Sequence, residues 1–330
     1  MVLAAQRRTT GSLFLLLVST CTAAAAPFAT RDQNPLLAGL GLPRPMPARI
    51  AAESEGSQGW QLAADFNWGN SAIVQSNARE SLIVDAETRE LRVTIGRSIA
   101  DRFAVQLQIP YRHTGAGTLD GFIDNWHSWF SLPEGARPEL PVDQYQVTYV
   151  RDGMTALDLR SSSSGLADIC ADVGYQIIAG GATAAAAWLS LKLPTGDADK
   201  LTGSGATDLA LAIAGEHRFA DRWSVFGQAG VSYLGAGDLL ADQQRSVVWS
   251  ALAGVGVSIS QRLDLKMQLD AHSAAFDRTE LDFLGDTAVL TVGGSYRFSE
   301  AWQVEVGVSE DVVVDASPDV VLVLGVRRAL

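Results

Sequence analysis

Apolar and polar residues alternate along most of this chain. In Phe103-Ala104-Val105-Gln106-Leu107-Gln108-Ile109 the odd positions are apolar and the even ones small or polar. Leu263-Asp264-Leu265-Lys266-Met267-Gln268-Leu269-Asp270 follows the same rule with charges on the second face, and Trp302-Gln303-Val304-Glu305-Val306-Gly307-Val308 repeats it. Successive side chains of a strand point to opposite faces, so each segment has one apolar wall and one hydrated wall. A soluble sandwich also alternates, but its strands run to about 5–6 residues. Several runs here reach the ~9–11 residues of a tilted membrane strand. The polar face is also rich in small residues, such as Ala210, Ala212 and Ala214, or Gly254, Gly256 and Ser258. Small side chains suit a crowded barrel interior.

This rhythm predicts twelve long strands, at approximately 58–69, 80–97, 102–113, 165–178, 183–194, 205–219, 223–234, 246–259, 263–276, 286–298, 302–312 and 318–329. The turns at 98–101, 179–182, 220–222, 260–262 and 299–301 are short. The connections at 70–79, 114–164, 195–204, 235–245, 277–285 and 313–317 are generally longer. Such alternation marks periplasmic turns and outer loops of a membrane barrel, and an even count returns both termini to the periplasm. Four of the short turns carry similar motifs, three with aromatics: Ser98-Ile99-Ala100-Asp101-Arg102-Phe103, Phe219-Ala220-Asp221-Arg222-Trp223, Ser260-Gln261-Arg262-Leu263 and Phe298-Ser299-Glu300-Ala301-Trp302. Rings beside polar turns fit an aromatic girdle at the membrane boundary. The second strand loses phase between Val84 and Leu91, which predicts a bulge or a stretch above the membrane. The expected fold is all-β: a transmembrane antiparallel β-barrel of about 12 strands.

The connection 114–164 is too long for an idle loop. Asp120 can cap a short amphipathic helix over Gly121–Ser131. Phe122, Ile123, Trp126, Trp129 and Phe130 fall on one face of it, with Asp124, Asn125 and Ser128 opposite. Leu132-Pro133 ends the helix, and 143–159 is expected to form a further hairpin. A helix so placed can cover the barrel mouth or pack on the outer wall. It can also serve as a gate, or as a contact for an apolar ligand.

The run Thr118-Leu119-Asp120-Gly121-Phe122-Ile123-Asp124-Asn125-Trp126-His127-Ser128-Trp129-Phe130-Ser131-Leu132-Pro133, with Arg137 after it and Asn34-Pro35-Leu36 near the mature N-terminus, resembles the signature of an uncharacterised family of predicted proteobacterial outer-membrane β-barrels, a domain of unknown function. The resemblance covers nearly all of the mature chain. It implies fold and localisation and assigns no activity. The loops Ser164-Gly165-Leu166-Ala167-Asp168, Ser204-Gly205-Ala206-Thr207-Asp208 and Leu193-Pro194-Thr195-Gly196-Asp197 are similar to segments of barrels associated with uptake of aromatic or other hydrophobic compounds. The C-terminal strand departs from the usual pattern: Gly325 fits the insertion signal of bacterial barrels, but Arg328 and Leu330 stand where aromatics are usual.

Residues 1–26 read as a secretory signal, with Arg7 and Arg8 before the apolar run Leu13–Val18 and small residues from Thr22 to Ala26. Val18-Ser19-Thr20-Cys21 also loosely resembles a lipoprotein acceptor. The Pro-rich stretch within 27–57 is either a periplasmic tail or a luminal plug, and 58–330 is the barrel. Cys21 leaves with the signal and Cys170 is then alone, so no disulfide framework is expected. Cleavage removes two arginines and no acids, which takes the formal charge from -12 to -14. That argues against nucleic acid as a partner. The expected partners are outer-membrane lipid, the barrel-assembly machinery and a small-molecule solute.

Strand parity places Asp65, Arg92, Lys192, Glu216, Arg218, Asp264, Lys266, Asp270, Arg297 and Glu305 in the lumen, where opposed charges either lace it shut or flank a small pore. Asp168, Asp172 and Asp208 fall near the outer mouth. They can form a cation-selective ring, a calcium site, or hydrogen bonds to loop amides. No metal-ligand spacing, nucleotide loop or cofactor motif appears. A lipid hydrolase needs serine and histidine together on the lipid-facing wall. Adjacent His272 and Ser273 point to opposite faces, and His113, His217 and Ser190 have no evident partner. The expectation is a non-enzymatic passive channel or transporter in the cell outer membrane for small molecules, hydrophobic ones among them. The alternatives are a structural or surface-interaction barrel with a closed lumen, or a lipid hydrolase.

Overall fold

The computed structural model of the chain describes residues 26–50, 59–130, 136–142 and 144–330. The signal segment and its cleavage site lie outside the described residues, as do 51–57 and Leu132-Pro133. In chain order the strands are β1 (Trp60–Ser76), β2 (Glu80–Ala100), β3 (Phe103–Gly115), β4 (Gln146–Arg151), β5 (Met154–Leu159), β6 (Ser163–Leu166), β7 (Ile169–Gly180), β8 (Thr183–Leu193), β9 (Asp208–Phe219), β10 (Trp223–Tyr233), β11 (Val247–Ser258), β12 (Leu263–His272), β13 (Thr287–Arg297), β14 (Trp302–Asp311) and β15 (Val320–Ala329). One α-helix, α1, spans Asp120–Phe130 between β3 and β4.

Twelve of these strands (β1–β3 and β7–β15) each pair antiparallel with two neighbours, and β15 returns to β1. The closing seam runs from Gln61↔Ala329 to Asn70↔Val320. Closure leaves no open edge in the barrel wall, which a lipid environment demands because unpaired backbone groups there find no water. The other three strands are loop additions. β4 and β5 extend β2 at the long-loop end, and the short β6 precedes β7 on the edge of β3. The long-loop end is called the outer end here, and the short-turn end the inner end.

Outward positions form an apolar wall. Leu107, Leu211, Leu265, Val306 and Leu324 are all exposed. Inward positions alternate with them and are buried, as Asp65, Gln108, Gln268 and Glu305 are. Rings gather at the inner rim, where Phe103 and Tyr175 lie 5.1 Å apart and Tyr296 and Phe298 5.4 Å apart. Arg97 stacks on Trp60 and Arg328 on Trp302 at the same rim. The fold is a closed twelve-stranded transmembrane β-barrel with one short helix.

Two strand expectations need correction. β1 continues to Ser76 and meets β2 through residues 77–79, so the connection expected at 70–79 is short. No bulge lies between Val84 and Leu91: β1 and β2 stay in register from Trp60↔Arg97 to Ser76↔Ser81. The phase break is an inversion of polarity. Beyond Glu90 the inward residues Ala86, Val84 and Leu82 are apolar and buried, while the outward Arg89, Glu87 and Asp85 are polar. There the inside of the barrel is a dry core and the outside is covered by residues 116–130 and 136–140. The register shifts that do occur lie near the inner rim, between Ser98 and Ala100 and between Gln176 and Ile178.

Candidate functional site: the luminal segment and the outer-wall helix

Residues 26–50 run inside the barrel. The segment starts near the inner end, where the Phe28 amide donates to Gln268 Oε1 at 2.7 Å and Lys266 Nζ donates to the Ala26 carbonyl at 2.8 Å. It climbs to the outer end, where Asn34 Nδ2 donates to the Phe283 carbonyl at 2.8 Å. Hydrogen bonds from the Leu37 and Ala38 amides to the Asn34 carbonyl turn it over. The chain then descends past Gly41 and Met46 to Ile50, whose amide donates to Gln176 Oε1 at 2.5 Å near the inner rim. The result is a hairpin that fills the lumen.

A backbone buried in a barrel can pair only with wall side chains, and an unpaired buried group costs on the order of 1–3 kcal/mol. The wall supplies the partners. Gln228 accepts from the Met46 amide at 2.8 Å and donates to the Arg44 carbonyl at 2.7 Å. Gln176 likewise donates to the Ala48 carbonyl at 2.8 Å. Trp188 Nε1 donates to the Pro47 carbonyl at 2.9 Å, with its ring buried against Met46 and Ile50. Small wall residues make the room. A Cβ on Gly230 would fall 2.8 Å from Pro43, and one on Gly307 would fall 3.0 Å from Phe28.

Charges lock the middle of the hairpin. Glu90 is a hub: Arg92 and Arg112 of the wall pair with it, and Arg44 of the hairpin lies 3.6 Å away. Arg31 caps the hairpin itself, donating to the carbonyls of Ala38, Leu40 and Leu42. Lys266, Arg327 and Glu305 form a second buried group near the inner end. Of the luminal charges expected from parity, Asp65, Arg92, Lys192, Asp264, Lys266 and Glu305 are buried. Glu90, Arg112, Arg31, Arg44 and Trp188 are additional. Glu90 and Arg112 share the inward parity of Arg92, and Trp188 interrupts the small inward face of Ala184 and Ala186, so those three left a trace in the sequence. The arginines of the hairpin left none.

The two ends of the lumen differ. At the outer end Leu36, Leu37, Leu40 and Leu42 join Ile73, Leu82, Val84, Tyr149, Leu239, Phe276, Phe283 and Leu284 in one buried apolar cluster. At the inner end a chamber of about 300 Å³, lined by both polar and apolar residues, separates the hairpin from the wall. Arg44, Arg92, Arg327, Asp65 and Gln106 line it.

Asp168 and Asp208 are brought together by Lys192, whose ammonium lies 2.8 Å from one and 2.9 Å from the other. The position of a cation between them is thus taken by a side chain. Asp168 also accepts from the Gly196 and Ser204 amides, and Asp208 from the Gly41 and Gly235 amides. Asp172 stands apart and accepts from Gln108 at 2.6 Å. No group of three or more potential metal ligands occurs among the described residues. His272 pairs with Asp32 of the hairpin at 3.2 Å and His217 with Thr183 at 2.8 Å.

Helix α1 stands on the outer wall, not across the mouth. Ile123 is fully buried with Leu119 against Val320, and the outward residues Trp68, Val308 and Leu322 pack around them. Phe122 and Trp129 are exposed. The side chains of Trp126 and Phe130 lie outside the described residues. Arg137 fixes the helix by pairing with Asp120 at 3.0 Å, Asp124 at 3.0 Å and Asp319 at 3.2 Å, and by donating to Asn70 Oδ1 at 2.6 Å. Asn70 is the last residue of β1 that pairs with β15 and Asp319 precedes β15, so this one guanidinium straddles the outer end of the barrel seam. Burial pushes the Asp319 carboxyl up to about 8, against the pull of Arg137. Glu87 completes the clasp, accepting from the Thr118 and Leu119 amides and from Trp68 Nε1.

A family described as "Protein of unknown function (DUF3187)" matches residues 14–329. No curated protein sequence matches the chain. Among solved structures, the COG4313 outer membrane channel from Pseudomonas putida F1 aligns at a TM-score of 0.57 with 13% identity, covering 86% of this chain and 99% of that one. The KdgM porin aligns at 0.43 with 10% identity, over 81% of this chain and 99% of that one. The P. putida toluene transporter TodX aligns at 0.43 with 11% identity, over 84% and 91%. The first of these likenesses supports the barrel fold.

Proposed function

The chain belongs to that family of proteins of unknown function, and we propose that it is an outer-membrane channel for small molecules, closed at rest by its own N-terminal hairpin. The apolar outer wall and the inner aromatic rim support residence in the membrane, with the short turns in the periplasm and the long loops outside. The observation that carries the closed-channel reading is the occupation of the lumen by residues 26–50. These are held by side chains that could be re-paired by water, and a chamber at the inner end lies beside them. The gate in this reading is the hairpin. Helix α1, seated on the outer wall, takes no part in closing the mouth. No catalytic role is assigned.

Planar-bilayer recording tests this. The intact protein is expected to show no steady conductance. Deletion of 27–50, or Gly41→Leu, which places a side chain where a Cβ already falls 2.4 Å from Asp208, is expected to open an ohmic pore. Folded variants that conduct no more than the parent would sink the channel reading. They would favour a barrel closed for good, with a structural or surface-interaction role. The apolar cluster at the outer end is the observation that keeps that second reading in play.

A further inference from the structure

We infer that α1 completes the outer aromatic girdle of the barrel and that its exposed face, Phe122 and Trp129, rests in the acyl-chain and headgroup boundary of the outer leaflet. The inference goes beyond conduction and rests only on the transmembrane wall.

Outward rings near the outer end mark where the lipid-facing belt ends. On β3 this is Tyr111, 52% exposed; on β10 it is Tyr233, 62%, and on β11 Trp249, 64%. In the sector made by β14, β15, β1 and β2 the outward rings toward the outer end, Phe66 and Trp68 of β1, are only half-exposed. At the outer end of its seam the outward residues Glu310, Val320, Asn70 and Glu87 stand in register with one another. A bare stretch of this kind would put polar Asn70 and Glu87 against lipid, where unpaired polar groups are costly.

Helix α1 lies on this sector. Ile123 covers Val320, and Trp68, Val308 and Leu322 are half-covered. One outward position further toward the inner end, two residues or about 7 Å along the strand, Leu324 and Val306 are exposed like the rest of the lipid-facing wall. The helix therefore continues the apolar wall without a gap. Beneath it Asn70 and Glu87 receive the hydrogen bonds that make them tolerable. Above it Trp129, 69% exposed, matches Trp249 and Tyr233 in exposure. Amphipathic rings and indoles are favoured at this boundary, where one side is apolar and the other wet. The occupant of the face is outer-leaflet lipid, because the surface it continues is the lipid-facing surface itself.

Nitroxide accessibility tests the inference in the full chain, with Cys170→Ala as background. Labels at Trp129→Cys, Phe122→Cys, Trp249→Cys and Met154→Cys are compared in phosphatidylcholine vesicles with no added solute. Heat-modifiable gel mobility confirms that each variant is folded. The Trp129 and Phe122 labels are expected to collide with oxygen several-fold more than with a water-soluble nickel chelate, as the Trp249 label does. The Met154 label, on the exposed loop hairpin, shows the reverse ratio. A Trp129 label that behaves like Met154 overturns the inference. So does one shielded from both reagents, which would place a second copy on this face, or one whose ratio changes only when a free aromatic hydrocarbon is added.

Discussion

The outer and inner ends of the lumen are closed by different physics. The outer end is a dry core, in which the leucines of the hairpin meet Phe283, Leu284 and Tyr149 from two separate stretches of chain. Water has no purchase there, and opening it exposes apolar surface at about 25 cal/mol per Å². The inner end is mixed. There the Ile50, Met46, Phe28 and Ala29 amides donate to Gln176, Gln228, Gln268 and Glu305, and Met46 and Ile50 pack on Trp188, beside a chamber of about 300 Å³. Hydrogen bonds exchanged with water contribute only ~1 kcal/mol each. The comparison teaches that the hairpin is held at its tip chiefly by apolar packing and along its legs chiefly by polar contacts, with one small apolar cluster at Trp188. Under the proposed function, the polar legs are the part expected to yield first.

Four changes can break or sharpen that contrast. Glu90→Ala is the most severe, because it strands Arg92, Arg112 and Arg44 in a buried site. Removing one partner of a buried pair costs about 3–5 kcal/mol. A large fall in the barrel's thermal transition is expected, read by heat-modifiable mobility, together with noisy conductance. Phe283→Ala cuts the outer core, where loss of a buried phenylalanine costs roughly 3–5 kcal/mol at most. It is expected to admit impermeant thiol reagent to a cysteine at Leu37 and to leave one at Met46 unchanged. Gln176→Ala with Gln228→Ala should do the opposite, exposing position 46 at a cost of about 1–3 kcal/mol per orphaned contact. If both pairs of variants loosen both positions equally, the two-ended picture is wrong.

The smallest effect concerns the clasp outside the barrel. Asp319 has its carboxyl pushed up to about 8, so between the ordinary aspartate range and pH 8 the folded clasp holds a proton that the released loop does not. Its stability is therefore fullest at low pH and declines as pH rises toward about 8, by no more than ~1.4 kcal/mol per unit. Proteolytic nicking of loop 116–140 should accelerate over that window. Asp319→Asn should flatten the dependence, and Arg137→Ala should speed nicking at every pH.

Most of the barrel was legible because its period is 2 and its outside is uniformly apolar. The strand positions from β3 and β7 to β15 follow directly from parity. Three features were not legible, each for a physical reason. The hairpin 26–50 is Pro-rich and aperiodic, and its Arg31 bonds to its own carbonyls, so nothing local marks it as luminal. The inversion in β2 looks like a bulge because parity alone cannot tell a shifted register from an exchange of dry and wet faces. The seat of α1 was open because an amphipathic helix presents the same stripe to a mouth or to a wall. Only Asn70, Glu87 and Asp319, far apart in sequence, decide between them. The small residues on the inward face suit a crowded interior, and at Gly230 and Gly307 the neighbours are Pro43 and Phe28 of the hairpin.

The central claim is that the N-terminal hairpin lies within the barrel, against its wall. The most direct measurement is a disulfide between Pro43→Cys and Gly230→Cys in the Cys170→Ala background, in membranes. A Cβ at 230 falls 3.1 Å from that of Pro43, within a small adjustment of the ~3.5–4.5 Å that a disulfide spans. The account expects near-complete cross-linking under mild oxidant, a shift in gel mobility reversed by reductant, and suppression of any conductance. Two free thiols that both react with an impermeant maleimide would contradict it.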